Sequence, residues 1–518
     1  MRAITSLGLF VSFCAVGACS VAGLKDPPAP HPGPTGSATP VGTGYPAPTP
    51  QPLPDAGAAT GLGSGSAPQP AAGQAMLRIV HASPDAPSVD VYVAGNTSPI
   101  VTAIAYGQTS SWIEVPPGSA VVDLRASPSR ATDPIVYTTG PLTIPDQGDI
   151  TAVAAGLIGS ADADQSFRVI PLVNQYDAAA PMTARVRVLH AGADAPTVDL
   201  DPGNQDPAAP AVAGLARFAD TGAGGISLPA DKPLALGIDV GGQRVTAFTT
   251  PSLADGADLL IIATGLLGSL ARQPSGFALL VVGPNGNLGF IQQDPLLYTL
   301  HASPDAPEVD AFVGDTKLID GLPFGKLLGP TQVQPGTYQI DIFPHAVGSA
   351  RPAGAPVLSQ PVGPLAPGQT YLTIASGFLA PANGTQPLQL DVVQENFALG
   401  DTGARLRAVH ESPDAPTVDI GVVATKSIAP VLYGGLAFAT SSADTGLAAA
   451  PGDLPIGVAP AGMDDSIVAE FTIPATAGQR AFVIAEGALS PAQGDQAFRF
   501  GVVDTVANPW TVTHVFPK

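Results

Sequence analysis

Cysteine is almost missing: Cys14 and Cys19 are the only two in 518 residues, and both lie at the very start. No disulfide can staple the rest of the chain, so its domains must stand on hydrophobic cores alone. Basic residues are scarce too. Lys and Arg number 21 against 42 Asp and Glu, the net charge is −21, and no basic cluster occurs. Such a surface repels nucleic acid and anionic bilayers, so neither is expected as a partner. Long apolar runs are lacking after the N-terminus. The best, Leu259 to Leu267, is short and contains Thr264 and Gly265, which reads as a buried strand rather than a span. Catalytic signatures are lacking as well. There is no Gly-x-Ser-x-Gly elbow, no phosphate loop and no dinucleotide fingerprint. His410-Glu411-Ser412-Pro413-Asp414 starts like a zinc-protease helix motif, but Pro413 breaks that helix and the fifth residue is Asp. The chain reads as a non-enzyme with no catalytic residue and no cofactor. A hydrolase built on paired carboxylates is the lesser alternative.

The N-terminus carries a targeting segment. Arg2 supplies a positive charge, Ile4 to Val16 is a short apolar stretch, and Val16-Gly17-Ala18-Cys19 closes it. An aliphatic residue, two small residues and a cysteine resemble the lipobox of bacterial lipoproteins. That resemblance implies a signal peptide over 1–18, with Cys19 as the lipid attachment site and new N-terminus. An ordinary secretory signal cut near Ala18 is the alternative. Ser20 after the cysteine, rather than Asp, points by the same resemblance to the outer membrane of a Gram-negative cell. From Lys25 to about Gly73 the chain is Pro, Gly, Ala, Ser and Thr, too poor in large apolar residues to offset the entropy of ordering. Residues 19–75 are therefore expected to be the lipidated cysteine and a disordered tether. Its reach lies between ~40 Å as a coil and ~150 Å as extended polyproline.

Beyond the tether the chain is an internal repeat. His81-Ala82-Ser83-Pro84-Asp85-Ala86-Pro87-Ser88-Val89-Asp90 returns at His190 to Asp199, His301 to Asp310 and His410 to Asp419. The histidines stand 109, 111 and 109 residues apart. A late apolar run ends in Gly156, Gly265, Gly377 and Gly487, each 75 to 77 residues past its histidine. Four domain-sized units result, with expected bounds 76–181, 182–294, 295–402 and 403–518. At this length each is expected to own its core, as beads on a string.

Within a unit the periodicity is β. Leu77, Ile79 and His81 alternate with Arg78 and Val80, and Val89, Val91 and Val93 alternate with Asp90 and Tyr92. Pro116-Pro117-Gly118, Ser127-Pro128 and Asp146-Gln147-Gly148 punctuate short runs, and no long amphipathic helix is seen. Seven or eight short strands per unit predict an all-β chain of four tandem Ig-like or transthyretin-like β-sandwiches. A small closed barrel is the alternative.

Parity turns the motif histidine inward with Leu77 and Ile79, at the end of the first strand. The Ser-Pro-Asp-Ala-Pro next to it is a turn whose Ser and Asp side chains accept bonds from backbone N–H groups. The repeated residues, His81, Asp85 and Asp90, His190, Asp194 and Asp199, His301, Asp305 and Asp310, and His410, Asp414 and Asp419, are thus expected to be structural. The imidazole is expected to clasp the turn by bonding a loop carbonyl or the turn Asp. Metal binding is the weaker reading: one His and two Asp per copy fall short of a zinc site, no calcium loop is present, and alternation separates Asp90 from His81. Outward Arg78, Arg187 and Arg407 are expected to pair with Asp90, Asp199 and Asp419. Tyr298 replaces the Arg in the third copy.

The repeated His-Ala-Ser-Pro-Asp-Ala-Pro-x-Val-Asp, entered by an alternating strand, resembles the bacterial DUF4397 family. The second copy departs from it at Gly192-Ala193 and Pro202, the fourth at Glu411. The resemblance implies a β-sandwich module of exported proteins and carries no activity. The expected function is binding or adhesion to an envelope or extracellular ligand, a polysaccharide or surface protein, with the membrane reached through the lipid anchor alone. A spacer or coat protein is the alternative.

Overall fold

A computed structural model describes residues 62–518, other than 205, 383 and 384. The signal segment, Cys19 and the tether up to residue 61 lie outside the described residues. The described chain is all-β. Its strands fall in four successive units spanning 75–173, 183–292, 296–394 and 404–515, each with two sheets of four to six strands and the first with a further two-stranded sheet, and no helix occurs among the described residues. The units have ten, nine, eight and ten strands; the third meets the expected seven or eight, and the first and fourth exceed it because turn-rich edges break into two- and three-residue pieces.

The histidine strand organises the first sheet of each unit. In the first unit Ala75–His81 pairs in parallel with Asp149–Ala155, the strand that ends at Gly156, and antiparallel with Ile113–Val115. Arg168–Val173 completes that sheet on the far side of Asp149–Ala155. The second sheet is centred on Val89–Val93, between Val101–Ile104 and Val122–Ala126. The same parallel pairing recurs as Thr183–His190 with Asp258–Thr264, Leu296–His301 with Thr370–Ser376, and Ala404–His410 with Arg480–Glu486. Leu77, Ile79, Val89, Val91 and Leu124 meet between the two sheets to form the first unit's core.

The beads are not independent. Val80, Ala82, Val153, Ala155 and Leu172 of the first unit share a second core with Leu189, Leu260, Ile262, Leu280 and Phe290 of the next. Likewise Tyr298, Leu300, Leu372 and Ile374 of the third unit pack against Val409, Phe482, Ile484 and Val503 of the fourth. The first sheets therefore face each other in two pairs, which covers the outer face of the histidine strands. Every residue of Ala75–His81 is buried. Alternation of apolar and polar residues implies a strand that is wet on one side. Here the second face is covered by a neighbouring repeat instead.

That covering corrects the expected Arg–Asp pairs. Arg78 lies in the first sheet and Asp90 in the second, and Arg78 is only 3% exposed. Its Nε donates to Thr151 Oγ1 at 2.8 Å, its Nη1 crosses to the carbonyl of Gly283 in the second unit at 2.5 Å, and its guanidinium lies over Trp112. Arg187 reaches back to the carbonyl of Val173 at 2.7 Å and pairs with Asp220. Arg407 donates to the carbonyl of Gln394 at 2.9 Å and pairs with Asp444. Tyr298, the third copy's replacement, stacks on Trp510 of the fourth unit with centroids 4.2 Å apart. This position is an inter-repeat contact in all four copies.

The end of the tether also departs from expectation. Leu62 is 8% exposed and sits in the core of the second unit, not the first. Its N–H donates to Ser252 O at 2.8 Å, and its carbonyl accepts from Ala254 N at 3.0 Å. One large aliphatic residue in a Pro/Gly-rich run suffices to pin the segment.

Candidate functional site

The two landmarks seen in sequence, the histidine motif and the late glycine, are bonded to each other. Parallel pairing brings His81 beside Ala154, so the turn after His81 meets the loop after Gly156. Ser83 Oγ donates to Gly156 O at 2.6 Å, and Ser303 and Ser412 do the same to Gly377 O and Gly487 O at 2.6 and 2.7 Å. Asp85 accepts from the N–H groups of Ile158 and Gly159, both at 3.0 Å. Asp194 holds Leu267 and Gly268, Asp305 holds Leu379 and Ala380, and Asp414 holds Leu489 and Ser490, all at 2.7 to 3.0 Å. The glycine is required: φ is +84°, +87°, +85° and +83° in the four copies, and an added Cβ would fall on a carbonyl oxygen of the adjoining loop.

The imidazoles close the other end of the turn. Nε2 of His81, His190, His301 and His410 lies 2.8 to 3.1 Å from the carbonyls of Pro87, Pro196, Pro307 and Pro416. In three copies the N–H of Ser83, Ser303 or Ser412 reaches Nδ1 at 3.3 to 3.4 Å. A ring that accepts at Nδ1 and faces a carbonyl at Nε2 is the neutral tautomer protonated on Nε2. Burial holds all four rings below the ordinary histidine range. At 0–1% exposure they offer no face to a solute. The second copy lacks part of the clasp. Phe277 occupies the space where a Cβ on Gly192 would stand, no hydroxyl is available, and His190 Nδ1 has no partner. Sequence reasoning missed the aromatic edge against the ring, given by Tyr106, Phe324 and Phe438 at 6.2 to 6.4 Å. Their recurrence 23 to 28 residues after each histidine is the signal that marks them.

The second Asp of each motif is brought near neither its histidine nor the first-sheet arginine. Asp90 accepts from Ala103 N, Ser129 N and Ser129 Oγ at 2.7 to 2.8 Å, tying two loops to the second sheet. Asp419 does so with Gly435 N and Gly462 N, and Asp199 with Gly214 N. Burial opposes the ionised Asp90, but the donors outweigh it and keep the carboxyl below its ordinary range. Asp310 adds Lys317 and His345 to this set. Against the cost of burial they bring it down to about 2. With Asp320 and His345 it forms a cluster of potential metal ligands. The Lys317 ammonium lies 2.9 Å from Asp310 and 2.7 Å from Asp320, so the chain supplies the cation itself.

A cavity with room for a ligand lies elsewhere among the described residues. The first unit opens between its sheets into a cleft of ≈ 450 Å³, lined by Leu77, Ile100, Val115, Val122, Ile144 and Ile150 among others. Ser119 is the one lining residue with a polar side chain. Ile144 and Ile150 correspond in register to Leu253 and Leu259 of the second unit, against which Leu62 is seated. The first unit thus leaves open the place that Leu62 fills in the second. It also differs in one donor: where Ala254 gives its N–H to Leu62, the first unit has Pro145, which has none.

Residues 75–201 and 295–421 match the model of a family described as a domain of unknown function, DUF4397. Each match begins at the first strand of a pair of units and runs into the first strands of its partner. No curated protein matches the chain.

Proposed function

We propose that this chain, with two matches to a domain of unknown function, is four copies of one such module and acts as a non-enzymatic, lipid-anchored envelope protein that binds an aliphatic ligand in its first repeat. The observation that carries this is the open cleft. Its ≈ 450 Å³ falls within the ordinary range of small-molecule sites, and every lining side chain but Ser119 is apolar. Pro145 removes a backbone donor that a strand-like peptide would use, which favours an alkyl chain over a peptide. The lipid anchor rests on Val16 to Cys19, and the outer-membrane placement on Ser20.

The test is saturable binding of cis-parinaric acid, a fluorescent polyene fatty acid, displaced by palmitate. Ala120→Phe, which fills the cleft mouth, is expected to abolish binding with the unfolding midpoint retained. Binding that does not saturate, or that survives Ala120→Phe, removes the cleft from consideration. Cys19→Ala is expected to move the protein from the membrane to the soluble fraction and to lose acyl label.

A spacer is the second reading. It is favoured by the paired sheets and by the polar ties between the second and third units. Arg272 binds Glu395 at 2.7 and 3.0 Å, and Gln332 Nε2 donates to Asp294 O at 3.0 Å.

A further inference from the structure

The two repeat pairs are built on the same plan but differ in the charges placed where the repeats meet. The residue after the motif histidine is Ala82, Ala191 and Ala302 in three copies and Glu411 in the fourth. Glu411 is 0% exposed, and neither of its carboxyl oxygens has a hydrogen-bond partner. Across the interface it faces Asp391 and Ser376 of the third repeat. Asp391 already accepts from Ser376 Oγ at 3.1 Å and from Gln389 Nε2 at 2.8 and 3.0 Å. In the first pair the register position of Asp391 is held by Ile170, which pairs with Val153 as Asp391 pairs with Ile374. That pair thus has Ile170 and Ala191 where this one has Asp391 and Glu411. Its hydroxyl contact is neutral, Thr264 Oγ1 donating to Ala82 O at 2.6 Å.

A fully buried Glu411 facing the half-buried Asp391 cannot ionise cheaply, because it loses its hydration and is repelled by its neighbour. A proton kept on Glu411 removes the repulsion and gives one of its orphaned oxygens a donor role. The other charged groups nearby do not take this part. Glu486, beside Glu411 on the adjoining strand, is bonded to Arg499 at 2.7 Å and faces His514 at 3.3 Å. Arg407 is held by Asp444 and the Gln394 carbonyl. His410 is bonded to Pro416.

We propose that the contact between the third and fourth repeats is a proton-controlled latch, closed while Glu411 keeps its proton against Asp391 and weakened when that proton leaves, and that the contact between the first and second repeats has no such control. Burial and the neighbouring Asp391 push the Glu411 carboxyl well up. For a group raised in the folded state, the stabilisation is complete below the unfolded value, near 4.3, and is lost as pH rises through the folded one. The latch therefore loosens toward alkaline pH. This inference is independent of the cleft and of its ligand.

The chain has two tryptophans, and each reports one contact. Trp112 Nε1 donates across the first pair to Pro284 O at 2.7 Å, and Trp510 stacks on Tyr298 in the second. The full chain carrying Trp112→Phe isolates the Trp510 signal, and Trp510→Phe isolates that of Trp112. Thermal midpoints are then followed from pH 5 to pH 8. Over that range the buried histidines raise both midpoints as pH rises, and the Trp510 midpoint is expected to fall behind the Trp112 midpoint by several degrees. Glu411→Ala, which installs the residue of the other three repeats, and Glu411→Ala with Asp391→Ile are expected to bring the Trp510 profile onto the Trp112 one. Parallel profiles in the parent, or a Trp510 slope unchanged by Glu411→Ala, overturn the proposal. So does a midpoint at pH 8 that rises with Ca²⁺ in the parent but not in Glu411→Gln, since that would make the pair a cation site.

Discussion

Gly156 shows how much one backbone position carries. Its φ of +84° and the absence of a Cβ let the late strand turn under the histidine loop, where Ser83 and Asp85 then bind it. Gly156→Ala is expected to destabilise the first repeat by roughly 1–3 kcal/mol, read as a drop in urea midpoint at the Trp112 signal. His81→Leu leaves the Pro87 carbonyl without its donor and is expected to cost about 1–3 kcal/mol by the same measurement. The histidines also set an acid limit. Burial favours the neutral ring, so its folded value is below the unfolded one, near 6.5. The stabilisation is complete above that value and is lost as pH falls below it, because the unfolded chain takes up the proton first. The Trp112 midpoint is therefore expected to decline from pH 7.5 to pH 5, and the decline is expected to shrink when His81 and His190 are both changed to Gln. A profile rising toward acid at that reporter contradicts the neutral-ring assignment.

At the scale of strands and segments, alternation is informative about sheet membership and misleading about exposure. Leu77, Ile79 and His81 do share the inner face, as their spacing says, and Asp258–Thr264 is the buried strand that its apolar run suggests. Arg78 misleads because a polar residue at an alternate position normally marks water. Here its charge is satisfied by a carbonyl of the next repeat, information held about two hundred residues away. The pairing of the two landmarks is legible as a constant offset, but its cause, parallel strands side by side, is not, since spacing carries no direction. The cleft is not legible from Ile144 and Leu253, which are equivalent aliphatic residues; Pro145 in place of Ala254 is a trace of it in sequence that gains meaning only once Leu62 is seated beside Ala254. Leu62→Ala is expected to lower the stability of the second repeat by about 2 kcal/mol, at the low end for a buried leucine because the residue sits at the edge of the core. Proteolytic nicking after residue 60 is expected to quicken in that variant, and unchanged kinetics would mean that the segment is held by something else.

For the whole molecule the working unit is the pair. A fragment spanning 62–294 keeps both sheets of the first interface and is expected to be a folded monomer. A fragment ending at residue 181 leaves Val80, Ala82, Val153, Ala155 and Leu172 without cover, and is expected to self-associate or bind an apolar dye. Light scattering of the two fragments separates these outcomes, and a well-behaved monomer from the shorter one contradicts the pairing. The parallel ladder between Ala75–His81 and Asp149–Ala155 has one more consequence, for the order of events in synthesis. Contacts so distant along the chain form slowly, because the loop must close before any contact rewards it. A ribosome or a translocation channel delivers the histidine strand long before its partner. The leading repeat of each pair must then wait, one face bare, through a further repeat's length of chain. Chaperone demand is therefore greatest at the first and third repeats, and co-translational misfolding should concentrate there rather than at the repeats that arrive onto a finished template.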